Sequence, residues 1–387
     1  MRIAIDGLLV NRGETGVENA ILELARALAA GGQEEYRLFL RADSPLPDIT
    51  GPRFLTRRCR LPARSRLLRI LYQQTVLPWR VRAAACDLLH APGYVAPLVA
   101  GAPAVLTVYD LIALRFPQWC KRSNALNYRL QMPLSIRRAR RIIVPSQSTR
   151  HDLVGRFPGA AGKVRVIPLG VAARFRPCTE PAQRQAVRER YALPPRFILF
   201  LGHNEPKKNL PGIVAGFCGL RKRSAAEVRL VIAGARGWGC GAVEGQLRES
   251  GLAAAVHRVG YVPPEDLPCL YGLAEVFVFP SLYEGFGLPP LEAMACGTPV
   301  VASDRGALPE VLGNAAIQVD PEDPAALAAA LQAVLGDPAR RGQMVEKGLR
   351  QAARFPWEQT ARLTEDCLRE ARYGVAAAGS STRREGR

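Results

Sequence analysis

The chain has 387 residues, 48% of them hydrophobic, and a formal net charge of +19. This composition excludes a largely disordered protein, and no apolar run reaches the roughly 18 residues that a membrane-spanning helix needs. The nine scattered cysteines lack C-x-x-C pairs and predict reduced thiols in a cytoplasmic protein rather than a disulfide framework or a zinc site. The opening sequence MRIAIDG predicts a strand with no secretory leader.

Short apolar segments alternate with helical ones through the first half of the chain. RIAIDG predicts a strand, and Val17 to Ala30 predicts a helix because its apolar residues recur at helical spacing. Further strands are predicted at YRLFL, DLLHAP, AVLTVYD, RIIVPS and KVRVIPLG. This alternation indicates a parallel, doubly wound sheet, in which ligands bind at the carboxyl ends of the strands.

The pattern divides the chain into two α/β domains. Residues 1–175 are predicted as the first domain, and residues 176–195, rich in proline and charge, as a linker with a short helix. Strand patterns resume at FILFLG, VRLVIAGA, VHRVGYV, VFVFPS, TPVVAS and AAIQVD, so residues 196–355 are predicted as the second domain. We expect a final helix at 356–373 and a disordered basic tail at 374–387.

Much of the basic excess lies in the first half of the chain. Three interpretations compete: the charge binds nucleic acid, it binds an anionic membrane surface, or it reflects an arginine-rich composition without a binding function. No helix-turn-helix, zinc-finger or RNA-stacking motif accompanies the charge, so we expect no nucleic-acid partner. The first cluster is interleaved with leucines and Trp79, which is typical of proteins that bind anionic lipid surfaces. The two clusters are Arg53, Arg57, Arg58, Arg60, Arg64, Arg66, Arg69, Arg80 and Arg82, and Arg137, Arg138, Arg140 and Arg141.

The most informative segment is EGFGLPPLE, from Glu284 to Glu292. The sequence VFVFPS before it predicts a buried parallel strand, and the two prolines suit the first turn of a following helix. Gly285 and Gly287 allow the backbone to approach a ligand closely, and free N–H groups at a helix start attract a diphosphate. Ionised carboxylates accept hydrogen bonds from vicinal hydroxyls. The segment therefore predicts a socket for a nucleotide sugar; the alternative is an acidic, solvated connection.

This segment resembles the Glu-x7-Glu signature of glycosyltransferase family 4, retaining enzymes of the GT-B fold. The resemblance is most specific from Phe200 to about Asp320. It implies two Rossmann-like domains facing across a cleft, a crossover helix at the end, a nucleoside-diphosphate sugar as co-substrate, and no metal or other cofactor. Glu292 would hold the ribose and Glu284 the hexose hydroxyls. The supporting backbone would come from Gly285, Phe286, Gly287 and Leu288.

The loop GHNEPKKNL follows the first strand of the second domain. Two lysines at the carboxyl end of a strand, next to a helix start, suit a diphosphate leaving group. By resemblance Lys208 occupies the position of the family lysine, whereas His203 stands where the family has arginine. The sequence E-P-K-K-N is similar to a mannosyl- and rhamnosyltransferase-like subgroup, in which Lys207 would supply the second positive charge.

Two further segments resemble donor-binding parts of the family. In VGYVPPEDL, Tyr261 and Val262 would cup the nucleobase with their backbone, although an ordinary strand–turn–helix is an alternative. In NRGETG, Gly16 precedes the first long helix and would lie beside the donor phosphate at the domain cleft. An ordinary flexible loop is the alternative there.

The first domain carries the residues expected near the acceptor. TVYDLIALRFP resembles a family segment in which a histidine lies beside the donor sugar and the next aspartate supports it. Here Tyr109 replaces that histidine and Asp110 follows, which places a general-base role in doubt because an unperturbed phenol has a pKa of about 10. His90, in LLHAPGYV, either lines the acceptor cleft or is a packed structural histidine.

These observations predict a retaining glycosyltransferase that moves a hexose, with mannose or rhamnose as candidates, to a glycan or polyprenyl-linked acceptor in cell-envelope polysaccharide synthesis. Glu284, Lys208, Tyr109 and Asp110 are the predicted catalytic residues. We expect a cytoplasmic protein, peripheral on the inner face of the cell membrane through its basic N-terminal half. The alternatives are another GT-B enzyme, such as a sugar-nucleotide epimerase, or a non-catalytic module that binds nucleotide sugar or membrane.

Overall fold

Two parallel sheets, one in each half of the chain, organise the protein. The computed structural model describes residues 1–13, 15–61, 65–203, 205–223, 227–234 and 240–374. The predicted tail beyond residue 374 and the ARGWG stretch after the second strand of the second sheet lie outside them. The two sheets confirm the predicted fold class of two Rossmann-like α/β units.

The first sheet has seven parallel strands in the order β3-β2-β1-β4-β5-β6-β7. Its strands are β1 (Arg2–Asp6), β2 (Glu35–Arg41), β3 (Phe54–Cys59), β4 (Leu88–Ala91), β5 (Ala104–Thr107), β6 (Arg141–Val144) and β7 (Val164–Val166). Its helices are α1 (Gly16–Gly31), α2 (Arg66–Ala83), α3 (Ile112–Arg115), α4 (Arg122–Arg138) and α5 (Gln147–Arg156). Strand order reverses between β1 and β4, so the loops after them open a crevice at the carboxyl edge.

The second sheet has six parallel strands in the order β10-β9-β8-β11-β12-β13. Its strands are β8 (Phe197–Leu201), β9 (Arg229–Ala233), β10 (Val256–Gly260), β11 (Val276–Phe279), β12 (Val300–Ser303) and β13 (Ala316–Val319). The helices from the linker onward are α6 (Pro181–Arg190), α7 (Leu210–Arg223), α8 (Cys240–Glu249), α9 (Leu267–Leu273), α10 (Leu288–Ala295), α11 (Leu308–Leu312), α12 (Pro324–Gly336), α13 (Pro338–Ala352) and α14 (Trp357–Tyr373). Strand β11, VFVF, is wholly buried, as expected for a strand covered on both faces.

Local sequence explains where several helices begin. The side chain of Thr15 accepts a hydrogen bond from the Glu18 amide at the start of α1, and Ser146 does the same for Thr149 in α5. Each cap satisfies an N–H group that has no partner within its helix. Ser146 is therefore the N-cap of α5.

The last helix, α14, returns to the first half of the molecule. Its Glu365 carboxylate accepts hydrogen bonds from the amides of Gln33 and Glu34 at 2.8 and 2.9 Å. Its Thr360 hydroxyl donates to the Pro168 carbonyl oxygen at 2.8 Å. These contacts tie the end of the chain to the first sheet and limit how far the two halves can separate.

The cysteines depart from the sequence prediction at one pair. Cys178, just before α6, and Cys269, in α9, form a disulfide with their Cα atoms 5.1 Å apart. The expectation of reduced thiols was wrong for this pair, because 91 residues separate them in sequence and only the fold brings α9 against the linker. Among the described helices, none is both long and apolar enough to cross a bilayer.

Candidate active site

The Glu284–Glu292 segment joins β11 to α10 at the carboxyl edge of the second sheet. Gly287 precedes the helix with φ +111°, and a Cβ there would lie 2.5 Å from Leu308 Cδ2, so both conformation and space require glycine. Pro289 and Pro290 occupy the first turn of α10, as the sequence predicts. Phe286 is buried with its ring 5.7 Å from that of Phe355, so only its backbone is available to a ligand.

Glu284 is a buried carboxylate paired with the lysine loop. Lys208 Nζ donates to its Oε1 at 2.6 Å, and Lys207 Nζ lies 4.0 Å from its Oε2. Ser281 Oγ lies 2.7 Å from the same Oε1. Burial alone would raise the pKa of Glu284, but the two lysines and these hydrogen bonds hold it at about 2. The carboxylate is thus ionised at neutral pH and able to accept hydrogen bonds from hydroxyl groups.

The two lysines respond differently to this environment. Burial by itself would lower the pKa of Lys207. The negative charges of Glu284, Asp110 and Glu205 outweigh burial, so the pKa of Lys207 is raised above its usual value. For Lys208 burial outweighs the attraction of Glu284, and its pKa is lowered. Lys208 Nζ also lies 4.4 Å from the centre of the Phe279 ring, a cation–π contact. Both ammonium groups therefore lie at the end of β8 and face the Glu284 carboxylate.

The lysine loop is fastened to the glutamate loop through backbone atoms. The Leu282 amide donates to the Lys207 carbonyl oxygen at 2.7 Å, and Ser281 Oγ lies 2.9 Å from that oxygen. Asn209, at φ +55°, ends the short 3₁₀ turn that carries both lysines. The sequence analysis did not single out Ser281, although its position three residues before Glu284 is the signal that could have identified it.

Glu292 lies in α10 above the buried Tyr271 of α9. The Tyr271 hydroxyl donates to Glu292 Oε2 at 3.1 Å. Burial raises the pKa of Glu292 to about 7, against the lowering effects of this hydrogen bond and of Arg174. This carboxyl group is therefore partly protonated near neutral pH, and a ligand that donates hydrogen bonds to it would favour the ionised form. No local pattern points to Tyr271, which is distant in sequence.

Across the cleft, Gly285 touches the first domain. A Cβ at Gly285 would lie 1.9 Å from the Tyr109 carbonyl oxygen and 3.0 Å from Asp110 Cβ. Thr149 Oγ1, in α5, is 3.1 Å from the Gly285 carbonyl oxygen and 3.3 Å from that of Tyr109. The predicted residues Gly285, Tyr109 and Asp110 are thus brought together, although they come from opposite halves of the chain.

Two further polar contacts bridge the halves nearby. The Tyr283 hydroxyl donates to Asp152 Oδ2 at 2.6 Å. The amides of Gln147 and Ser148, at the start of α5, donate to the Glu310 carboxylate at 3.2 and 3.4 Å. A carboxylate at a helix start is favoured by the helix dipole. Sequence reasoning missed these bridges because each joins segments more than 130 residues apart.

Tyr109 is buried beside the cleft, and Asp110 is half-buried next to it. Burial raises the pKa of the Tyr109 phenol well above its usual value, so it is unsuited to accept a proton. Asp110 accepts from the Tyr94 hydroxyl at 3.1 Å and from the Ile112 amide at 3.1 Å. These contacts make Asp110 an anchor for the loop that meets Gly285.

His90 does not reach the cleft. Its side chain is 0% exposed at the carboxyl end of β4, and its Nε2 lies 2.9 Å from Thr107 Oγ1. Burial lowers its pKa to about 4, so it is neutral at physiological pH. The prediction that His90 lines the acceptor cleft is corrected, because β1 and β5 flank its strand and helices cover it; it is a packed structural histidine.

The remaining predicted donor residues lie at the start of α1 and after β10. Gly16 begins α1, and a Cβ there would meet nothing within 4 Å, so close packing does not explain the glycine. In the loop before it, the Arg12 and Gly13 amides donate to Glu18 Oε2 at 3.1 and 2.6 Å. Tyr261 and Val262 follow β10; the Val262 side chain is in the core, which leaves its backbone for any ligand. Within the described ranges no cluster of three or more potential metal ligands occurs.

The protein has two parallel-sheet units, and glutamates and lysines lie at the carboxyl edge of the second sheet. This arrangement is that of a glycosyltransferase of the GT-B class. Sequence profiles agree: the profile described as Glycosyltransferase Family 4 matches residues 15–175, and that described as Glycosyl transferases group 1 matches residues 183–351. The chain belongs to glycosyltransferase family 4.

Relatives and solved structures support this assignment. The chain is 32% identical over 364 residues to O-antigen chain mannosyltransferase B of Escherichia coli, covering 90% of this chain and 94% of the relative. It is 31% identical to the MMP alpha-(1->4)-mannosyltransferase of Mycolicibacterium hassiacum over 73% of this chain and 67% of that protein. Sucrose-phosphate synthase from Thermosynechococcus elongatus superposes with a TM-score of 0.74 at 25% identity, covering 96% and 98% of the two chains. WaaG, a glycosyltransferase of lipopolysaccharide biosynthesis, superposes with a TM-score of 0.73 at 15% identity, covering 95% and 99%.

Proposed function

We propose that the protein transfers mannose from GDP-mannose, with retention of anomeric configuration, to a membrane-anchored glycan during cell-envelope polysaccharide synthesis. The observation that carries this proposal is the near full-length similarity to an O-antigen mannosyltransferase, together with the E-P-K-K-N lysine loop beside Glu284. The buried acids and lysines supply groups suited to the hydroxyls and the diphosphate of such a donor.

Donor binding would exchange the partners of Lys208. In the free protein its ammonium group is paired with Glu284 at 2.6 Å. The donor diphosphate would attract Lys208 and Lys207, and Glu284 would then accept hydrogen bonds from the hexose hydroxyls. Glu292 would accept from the ribose hydroxyls, while the amides of Gly287 and Leu288 at the start of α10 would face the phosphates. Lys208 would thus exchange Glu284 for the diphosphate, and Glu284 would exchange Lys208 for the hexose hydroxyls.

The transfer step would rely on electrostatics more than on a side-chain base. The bond between the sugar C1 and the phosphate oxygen breaks as the acceptor oxygen bonds to C1 from the same face. The acceptor proton passes to the departing phosphate oxygen, because the phenol of Tyr109 is a poor base and Glu284 is held ionised at low pKa. Lys208 and the helix start would stabilise the charge that develops on the leaving diphosphate. This scheme uses no metal ion.

The donor base can be tested by thermal denaturation with nucleoside diphosphates. We expect GDP to raise the Tm by several degrees and UDP, ADP and dTDP to raise it less, since a ligand at about 100 times its Kd adds about 2.7 kcal/mol of stability. Glu292→Ala should abolish most of the GDP shift. Mannose transfer from GDP-mannose to a lipid-linked glycan should follow the same preference. A larger Tm shift with UDP would overturn the GDP assignment. No Tm shift with any nucleotide would show that the Glu284–Glu292 segment does not form a nucleotide-sugar site.

Nucleotide affinity should depend on pH through Glu292. The pKa of the free carboxyl group is about 7, and ribose hydroxyls donate more strongly to its ionised form, so binding releases a proton when the pH is below that value. We expect GDP affinity to rise roughly 20-fold from about pH 5.5 to 7.5 and then level off. Calorimetry in buffers of different ionisation enthalpy measures the proton release. Glu292→Gln, whose side chain does not titrate, should retain only the pH dependence of GDP itself; an identical profile in both proteins would contradict this role.

A further inference from the structure

Helices α2 and α4 expose large apolar side chains in regular stripes. On α2 the exposed residues Leu67, Leu71 and Trp79 follow one another at four- and eight-residue spacing. On α4 the exposed residues Leu126 and Leu130 are followed four residues later by Leu134. With Val99, these account for seven of the ten large exposed hydrophobic residues within the described ranges. Single exposed leucines are ordinary, but a concentration of this kind on one surface indicates an interaction site.

The two stripes of exposed side chains lie on the same side of the molecule. Gln74 Nε2 donates to Gln131 Oε1 at 3.1 Å, and Arg66 Nη1 to Ser123 Oγ at 3.5 Å. Both pairs are 57 residues apart, so α2 and α4 run parallel and side by side. Each helix buries its opposite face, including Leu77 in α2 and Met132 in α4. The exposed stripes therefore point away from the sheet and form one surface, which we call the α2–α4 face.

The charge of the α2–α4 face identifies its partner. Neither helix contains an aspartate or a glutamate, and together they carry eight arginines. Five of these arginines are exposed, namely Arg82, Arg122, Arg129, Arg137 and Arg138, whereas Arg66, Arg69 and Arg80 are half-buried. Apolar side chains flanked by arginine without acids complement an anionic lipid surface, into which leucine and tryptophan insert between headgroups. A second copy of this chain would instead bring like charges together.

We propose that the α2–α4 face docks on an anionic lipid bilayer, which deepens the proposed function by stating how the enzyme meets its membrane-anchored acceptor. The inner side of the same helices leads to the cleft. Tyr128 of α4 packs against Tyr94 at a ring-centre distance of 5.3 Å, and Tyr94 donates to Asp110 in the loop that contacts Gly285. A helix is about 10 Å thick, so docking would place the cleft close to the lipid headgroups.

The structure also revises which side chains take part. Not every leucine near the first arginine cluster takes part, since Leu77 of α2 is fully buried in the core. Arg58 donates to Asp48 and to the carbonyl oxygens of Arg41 and Ser44, so it has a structural role. The leucines of α4, which the sequence analysis did not select, supply half of the α2–α4 face. The surface is thus made by two helices rather than by one continuous basic segment.

The test is co-sedimentation of the full chain with phosphatidylcholine vesicles, with and without about one third phosphatidylglycerol. We expect strong binding only to the anionic vesicles. The variant Arg122→Gln/Arg129→Gln/Arg137→Gln should reduce binding roughly 100-fold, since each basic residue near an anionic surface contributes about a factor of five. The variant Leu126→Gln/Leu130→Gln/Leu134→Gln keeps the charge and should reduce binding at least about 10-fold, because it removes the inserting side chains.

A matched control removes the same charge elsewhere. The variant Arg340→Gln/Arg350→Gln/Arg354→Gln on and beside α13 should bind the anionic vesicles within about twofold of the unmodified protein. All variants should keep their GDP-induced Tm shift, which separates this proposal from the donor proposal. Wild-type binding to both vesicles alike, no binding to either, or unchanged binding by both α2–α4 variants would overturn the inference. A concentration-dependent dimer that the leucine variant loses would assign the face to a second copy and also overturn it.

Discussion

Replacing Gly285 with alanine is expected to lower kcat by at least about 100-fold while GDP affinity changes little. The new Cβ would lie 1.9 Å from the Tyr109 carbonyl oxygen, so the second domain could not approach the first as it does in this structure. A displacement of about 1 Å between reacting groups is enough for a 100-fold loss. The nucleotide would still bind, because the proposed donor contacts of Glu292 and Lys208 come from the second domain alone. Steady-state kinetics with GDP-mannose measures kcat, and calorimetry with GDP measures the affinity. Small-angle scattering measures the radius of gyration, which reports how closely the two domains approach.

A matched control is Gly342→Ala in α13, where a Cβ would meet nothing within 4 Å. This change should leave kcat unaltered and stabilise the helix slightly, since alanine has the higher helix propensity. If Gly285→Ala retains full kcat and the same radius of gyration, the contact between Gly285 and Tyr109 is not part of the reactive conformation.

Replacing Lys208 with methionine is expected to damage both catalysis and stability. Loss of the cation beside the leaving diphosphate should lower kcat/KM by about 1000-fold, the scale seen when one group that stabilises transition-state charge is removed. Glu284 would remain buried, with Lys207 Nζ 4.0 Å from its carboxylate. Breaking a buried ion pair costs about 3 kcal/mol or more, so the free energy of unfolding should fall by roughly that amount. Kinetics and denaturant unfolding measure the two effects separately.

A double variant separates these effects. Lys208→Met/Glu284→Gln removes both charges and should recover much of the lost stability without recovering activity. The exposed pair of Arg350 and Glu346, at 3.0 Å, offers a control: Arg350→Met should change the free energy of unfolding by less than about 0.5 kcal/mol. A single Lys208→Met protein with normal kcat/KM would show that Lys208 does not act on the diphosphate. Equal stability of the single and double variants would show that the pair with Glu284 is energetically unimportant.

Local patterns account for much of the fold. The alternation of apolar strands with amphipathic helices predicted two doubly wound parallel sheets, and both are present. The segment from Glu284 to Glu292 forms a strand-to-helix loop with its prolines in the first turn, as predicted. Such features depend on neighbours within a few residues, because strand periodicity, proline geometry and glycine conformations are properties of short segments. Resemblance to the family extended this reasoning from the fold to the proposed site.

Contacts between segments distant in sequence could not be predicted from local patterns. The pairing of Lys208 with Glu284 spans 76 residues, and the meeting of Gly285 with Tyr109 joins the two halves of the chain. The disulfide between Cys178 and Cys269 spans 91 residues and contradicts the expectation of reduced thiols. A residue type at a given spacing does not reveal which distant element will pack beside it.

The amino-acid order alone was therefore sufficient for the sheet class and the family. The burial of His90, the raised pKa of Glu292 above Tyr271 and the shared outward face of α2 and α4 emerged only from the packed chain. The reason is physical: a side chain's accessibility and proton affinity depend on the atoms that surround it in space. Most of those atoms belong to residues far away along the backbone.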